Sequence, residues 1–280
     1  MASISPIRVP NITALWNFGL SAFSIAGAYY TVPHLLLGEE GGLLTRGFYA
    51  SVCVHGGSYG CGRLGFFVAL FIYSKFAELV DTLLLILRKA PVIPLHWYHH
   101  ATVLLYCWHS YAARIGTGLW YAAMNYSVHA IMYFYFGLTQ CGPTAKRYAK
   151  RVSMLITLLQ LSQMVVGIAV TVSSLVYHAR GHVCYVSIAN SILGLTMYAS
   201  YFLLFFMLFQ SLYLSKKRAK AKADEAKPSS STTTTTKKKT MTDAAAASDL
   251  FEGWAGKNAE IEMVVRSGSE AMGVCGPGAD

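Results

Sequence analysis

His96-Trp97-Tyr98-His99-His100 places three imidazoles at offsets of 0, 3 and 4. On a helix these offsets share one face, within about 6 Å of axial rise. Imidazole titrates near neutrality and serves as nucleophile, general acid or base, or metal ligand. A lone histidine on an apolar face is usually a satisfied core residue; three on one stripe point to chemistry. A second run, Lys75-Phe76-Ala77-Glu78-Leu79-Val80-Asp81-Thr82, sets Lys75, Glu78, Asp81 and Thr82 at steps of three or four on a common face. A third, Asn125-Tyr126-Ser127-Val128-His129 followed by Met132 and Tyr133, aligns Asn125, His129, Met132 and Tyr133 at offsets 0, 4, 7 and 8. A fourth puts Thr157, Gln160 and Gln163 at offsets 0, 3 and 6. Imidazoles suit nucleophilic and acid–base work, while Asn125, Tyr133 and the glutamines suit hydrogen bonds to a carbonyl or a developing enolate. The blander alternatives are a structural ion-pair network for the charged run and interhelical hydrogen bonding for the Thr/Gln trio.

All four groups sit in strongly apolar surroundings. The chain has 280 residues, 54% of them hydrophobic and only 13% charged, against roughly 25% charged in soluble domains. An ordinary soluble globule is thereby excluded. About 20 apolar residues cross a hydrocarbon core, and six segments qualify: about 13–37, 64–87, 95–113, 117–139, 152–176 and 185–214. Only helices span lipid as an open chain, because lipid leaves backbone polar groups unsatisfied. The predicted fold class is all-α: a polytopic integral membrane helix bundle over 1–214, then a disordered, low-complexity Lys/Ala/Thr-rich tail over 215–280. Charges inside a span cost several kcal/mol if lipid-exposed, so Lys75, Glu78 and Asp81 must pair with one another or line a polar cavity.

Charge sets the orientation. Residues 1–214 hold twelve Lys/Arg and four acids. Arg8, Arg88, Lys89, Lys146, Arg147, Lys150, Arg151 and the Lys216–Lys222 cluster flank one side; Arg46, Arg63, Arg114 and Arg180 flank the other. The richer side is assigned to the cytosol, which puts both termini there. The polar groups then fall in the cytosolic half or near the midplane and imply one chamber opening toward the cytosol. Arg88, Lys89, Lys146, Arg147, Lys150 and Arg151 would ring its mouth, as a phosphate-bearing substrate requires. No nucleic-acid motif accompanies these cations, so no nucleic-acid partner is expected. Cys53 and Cys184 fall in loops on the oxidising side and are candidates for a disulfide, with Cys61 a competitor and unpaired thiols the alternative. HxxHH also invites a di-iron reading, but the other cluster, His178 and His182, lies at the opposite face, and no metal is expected.

Taken in order, KxxExxDT at 75–82, HxxHH at 96–100, HxxMYxY at 129–135 and TxxQxxQ at 157–163 resemble the ELO family of membrane fatty-acyl elongases over roughly residues 11–214. The resemblance implies an acyltransferase of the endoplasmic reticulum. It would condense acyl-CoA with malonyl-CoA, releasing CO2 and CoA and giving 3-ketoacyl-CoA, with no cofactor beyond these substrates. By motif position His99 is the implied acyl acceptor, with His129 facing it. His96, His100 and His129 would orient groups or shuttle protons, and Lys75 would help orient the CoA or carboxylate. Covalent transfer and a single ternary complex both fit these residues. Implied partners are the lipid bilayer, the ketoacyl reductase, dehydratase and enoyl reductase of the elongation cycle, and a second copy of the chain. Two departures stand out: the family usually has seven spans and this chain shows six, the first being the one without a counterpart. A terminal dilysine retrieval signal is also lacking. A transporter with an intramembrane charge path is the competing class; it would favour internal inverted repeats, and none is found.

Overall fold

The computed structural model describes residues 10–54, 62–90 and 92–210. The predicted tail over 215–280, and the cations at Arg8 and Lys216–Lys222, lie outside them. Seven helices follow in order: α1 Pro10–Leu37, α2 Gly47–Cys53, α3 Gly62–Leu87, α4 Pro94–Ala113, α5 Gly118–Gln140, α6 Pro143–Ala179 and α7 Ile188–Phe209. The six long helices correspond to the six apolar segments, and α2 is an addition that the sequence reading does not contain. The chain is an all-α membrane protein.

By length and composition, α1, α6 and α7 are apolar enough to cross a bilayer. Helix α3 is set apart by the three charges at Lys75, Glu78 and Asp81, and α4 and α5 carry the histidine stripe and the Asn125–His129 group. The surface of the bundle has the polarity a bilayer demands. Leu15, Ile25, Phe66, Leu105, Ile131, Leu155 and Leu203 face outward, while Lys75, Glu78, Asp81 and the clustered histidines are buried.

The helices close into a ring in the order α1–α5–α6–α7–α4–α3 and back to α1. Small residues set close seams. A Cβ on Gly27 would lie 2.3 Å from the Tyr126 ring, and one on Gly137 would lie 2.6 Å from the Phe18 ring. Both seams join α1 to α5, where Ser21 Oγ also donates to the Ala130 carbonyl at 2.7 Å. Close backbone approach through small residues is the usual way helices associate where no hydrophobic force acts between them.

Local signals explain three of the boundaries. Gly142, at φ 104°, turns the chain directly into Pro143, and proline suits a first helical turn because its missing N–H has no partner there anyway. Helix α6 therefore starts well before the expected 152, its first turns carrying Lys146, Arg147, Lys150 and Arg151. At 37 residues it runs about 55 Å, far beyond a hydrocarbon core of about 30 Å. Arg114, at φ 49°, ends α4 in a left-handed cap. Ser187 caps α7 by accepting from the Asn190 amide at 3.3 Å.

One end of the ring is knitted shut. Cys53 and Cys184 form a disulfide across 131 residues. Tyr185 N donates to the Cys53 carbonyl at 3.0 Å, and Gly116 N donates to the Tyr185 carbonyl at 2.8 Å. Tyr49 OH donates to the Val183 carbonyl at 2.5 Å, and Trp120 Nε1 donates to Ser51 Oγ at 3.2 Å. Gly116 passes so close to α2 that a Cβ would lie 2.9 Å from the Cys53 carbonyl oxygen. Helix α2 thus braces the connections before α5 and α7. Cys61, the competing thiol, lies outside the described residues.

Candidate functional site

Eleven residues singled out for chemistry are Lys75, Glu78, Asp81, His96, His99, His100, Asn125, His129, Tyr133, Gln160 and Gln163. None is more than 3% exposed. Their helical spacing turns each group inward, and the ring order sets α3 between α4 and α1, with α5 within reach across the interior.

On the α3–α5 side the polar atoms form a closed loop. Lys75 Nζ donates to Glu78 Oε1 at 2.7 Å and to Asn125 Oδ1 at 3.2 Å. It also lies 4.1 Å above the Phe71 ring, where the ring's negative face favours a cation. Asn125 Nδ2 is 3.1 Å from His129 Nε2, and His129 Nδ1 is 3.7 Å from Glu78 Oε1. The loop fixes its own proton positions. An ammonium only donates, so Asn125 turns its oxygen to Lys75 and its amide N–H to His129. His129 Nε2 must then accept, which places the imidazole proton on Nδ1, toward Glu78. Without Lys75 this tautomer assignment has no anchor. Glu78 and Lys75 neutralise each other, which makes the pair tolerable inside a bilayer.

One turn along α3, Asp81 is held from two other helices. Trp16 Nε1 of α1 donates to Oδ1 at 3.1 Å, and Tyr133 OH of α5 donates to Oδ2 at 3.2 Å. The Tyr133 ring stands edge-on to His129 with centroids 5.2 Å apart. A narrow crevice between α1, α3 and α5 is lined by Glu78, Asn125, His129 and Tyr133 together with Leu20 and Phe23.

On the α4–α7 side the imidazoles pack against rings. His96 and His100 have centroids 4.4 Å apart, His99 and His100 5.3 Å, and His99 and Tyr201 of α7 4.8 Å. Tyr201 OH is 2.5 Å from Thr102 Oγ1, so the ring against His99 is itself tethered to α4. The two sides meet where Thr82 Oγ1 and His96 Nε2 share a hydrogen bond of 3.0 Å. Thr82, the last residue of the charged run, thus touches the first residue of the histidine stripe.

From α6, Gln160 Nε2 donates to the sulfur of Met132 at 3.2 Å, one turn beyond His129. Thr157 donates to the Ser153 carbonyl of its own helix at 3.2 Å, so its hydroxyl satisfies α6 rather than joining two helices. Among the described residues no three His, Cys, Asp or Glu side chains group as a metal ion would require. Arg88 and Lys89 follow the end of α3, and Lys146, Arg147, Lys150 and Arg151 lie on the first turns of α6; the end of α3 and the start of α6 both lie opposite the disulfide. Arg88 is half-buried, and its Nη1 has no hydrogen-bond partner among the described residues. Arg151 lies 5.1 Å over the Tyr148 ring. Three contributors escaped the sequence reading: Trp16, Thr102 and Tyr201. Each is a lone aromatic or hydroxyl whose role depends on a helix distant in sequence.

Fold and site together define a helical membrane protein that gathers buried imidazoles, carboxylates and a lysine inside its ring. Comparison with known proteins gives that class a family. The model of the ELO family, described as GNS1/SUR4, matches residues 1–221, and the chain belongs to it. Fatty acid elongase 3 of Trypanosoma brucei brucei is 43% identical over 237 residues, covering 78% of each chain. Fatty acid elongase 3 of Trypanosoma cruzi is 40% identical over 240 residues, covering 79% of each. Very long chain fatty acid elongase 6 of Gallus gallus is 40% identical over 211 residues, covering 75% of this chain and 76% of its own. The protein is thus an enzyme of fatty acid elongation.

Proposed function

We propose that the protein condenses acyl-CoA with malonyl-CoA to give 3-ketoacyl-CoA, as a 3-oxoacyl-CoA synthase of the endoplasmic reticulum membrane. The observation that carries this reading is the burial of His96, His99 and His100 beside a second, charge-balanced set that fixes His129. His99 attacks the thioester carbon of acyl-CoA, forming an acyl-imidazole. The displaced CoA thiolate takes the proton that leaves the imidazole. Malonyl-CoA then loses CO2, and the resulting enolate attacks the acyl carbon and expels the imidazole nitrogen, which regains a proton from solvent. One acyl-CoA, one malonyl-CoA and one proton yield 3-ketoacyl-CoA, CO2 and CoA.

His96, His100 and His129 relay protons or orient the thioester, and Lys75 orients the CoA or carboxylate. Glu78, Asp81, Asn125, Tyr133, Gln160 and Gln163 bind or orient the substrate within the polar interior. Arg88, Lys89, Lys146, Arg147, Lys150 and Arg151 receive the CoA phosphates at the cytosolic mouth. The remaining reductase and dehydratase steps of the cycle fall to partner enzymes. Intact-mass analysis of purified protein after acyl-CoA alone tests the covalent step. An acyl adduct that disappears in His99→Ala supports it. No adduct, or one that survives the substitution, leaves the ternary-complex version with the same residues as acids and bases.

A further inference from the structure

We infer that Trp16 is a positioning residue for this reaction, acting through Asp81 and Tyr133 on His129; the inference rests on the catalytic role proposed above for the His129 side of the ring. An indole six residues into a membrane helix ordinarily serves as an interfacial anchor, its N–H turned to water or headgroups. Trp16 does the opposite. It is half-buried, and its N–H points across to Asp81 on α3, a carboxylate with 0% exposure. A buried carboxylate needs donors on both oxygens to be tolerated. Trp16 serves Oδ1 and Tyr133 serves Oδ2, at 3.1 and 3.2 Å. The two donors come from α1, the ring neighbour of α3, and from α5, which packs on the other side of α1, so Asp81 ties α3 to both.

The chain of contacts continues to the reacting side. Tyr133 packs edge-on against His129, whose Nδ1 proton is directed to Glu78. With the indole N–H in place, the carboxylate plane is fixed and Tyr133 OH has one acceptor position. Without it, Asp81 can rotate toward Tyr133, and the ring that holds His129 loses its fixed edge. Helix α1 carries none of the four motifs, yet the Trp16 N–H brings it to Asp81. The close seams at Gly27 and Gly137 hold α1 against α5, the helix that carries Tyr133.

The test is a kinetic double-mutant cycle on full-length protein in detergent, using Trp16→Phe, Tyr133→Phe and the pair. Trp16→Phe keeps the ring and removes the donor. It is expected to lower kcat about ten-fold with KM for malonyl-CoA unchanged, less than the roughly 10²-fold that a 1 Å misplacement costs. The double variant is expected to be no slower than Tyr133→Phe alone, because both substitutions break one chain. Independent, multiplicative losses would overturn the inference, as would Trp16→Phe at wild-type kcat. Should Trp16→Phe fail to give monodisperse protein, Trp16→His, which retains a ring N–H, is measured instead: kcat in the wild-type range with normal KM supports positioning, and a loss independent of Tyr133→Phe overturns it. Wild-type protein with no malonyl-CoA-dependent product would instead refute the proposed condensation.

Discussion

The α3–α5 side and the α4–α7 side of the ring are equally buried but held by different forces. Lys75, Glu78, Asn125 and His129 form a polar loop of three hydrogen bonds, closed by a 3.7 Å contact between His129 Nδ1 and Glu78 Oε1. His96, His99 and His100 pack against one another and Tyr201, with His96 also sharing a hydrogen bond with Thr82. The difference accords with the roles proposed above. A group locked by a cation and a carboxylate orients substrates well but makes a poor nucleophile. An imidazole bedded among rings keeps the character needed to take an acyl group.

The substitution with the largest expected effect breaks the nucleophilic side alone. His99→Ala should cut elongation by at least about 10³-fold while the protein stays monodisperse and melts within a few degrees of wild type. A steady-state assay with malonyl-CoA, paired with a thermal melt, checks both halves. Equal rates would move the nucleophile elsewhere.

The charged side should respond in the reverse manner, in stability first. Lys75→Met leaves Glu78 buried without its cation, a loss of about 3–5 kcal/mol for a broken buried pair. Adding Glu78→Gln should recover part of that stability without restoring activity. Thermal melts of the single and double variants distinguish a matched pair from two unrelated residues; no recovery contradicts the loop.

Cys53→Ser probes the knitted end, which touches neither side. A crosslink closing a loop this long contributes about 2–5 kcal/mol. The variant should melt earlier and keep wild-type kcat at low temperature, as should wild type treated with reductant. The smallest effect is expected at the cationic mouth. Arg147→Gln with Arg151→Gln should raise KM for both CoA substrates by about three-fold, leave kcat unchanged, and reduce the salt dependence of KM.

Much of this organisation is legible in the sequence because a membrane makes polar residues conspicuous. Lys75, Glu78, Asp81, the histidine stripe and Asn125–His129 stand out against apolar neighbours, and helical spacing already tells which share a face. Helix α2 was not legible: its seven residues, GFYASVC, carry neither charge nor a recognisable period. The start of α6 was obscured because Lys146–Arg151 ends the apolar run, although Gly142-Pro143 is a helix-start signal that hydropathy ignores. Trp16 and Tyr201 were unreadable for another reason. Their partners are 65 and 99 residues away, and a lone aromatic in a span has no spacing to betray it. Thr157 shows the converse: its place in TxxQxxQ suggested an interhelical contact, and its hydroxyl bonds its own helix.

The account stands or falls on the condensation itself. Purified wild-type protein, given acyl-CoA and carboxyl-labelled malonyl-CoA, should release one labelled CO2 for each 3-ketoacyl-CoA formed, and His99→Ala should release none above background. CO2 release without chain extension, or extension at wild-type rate in His99→Ala, would contradict it.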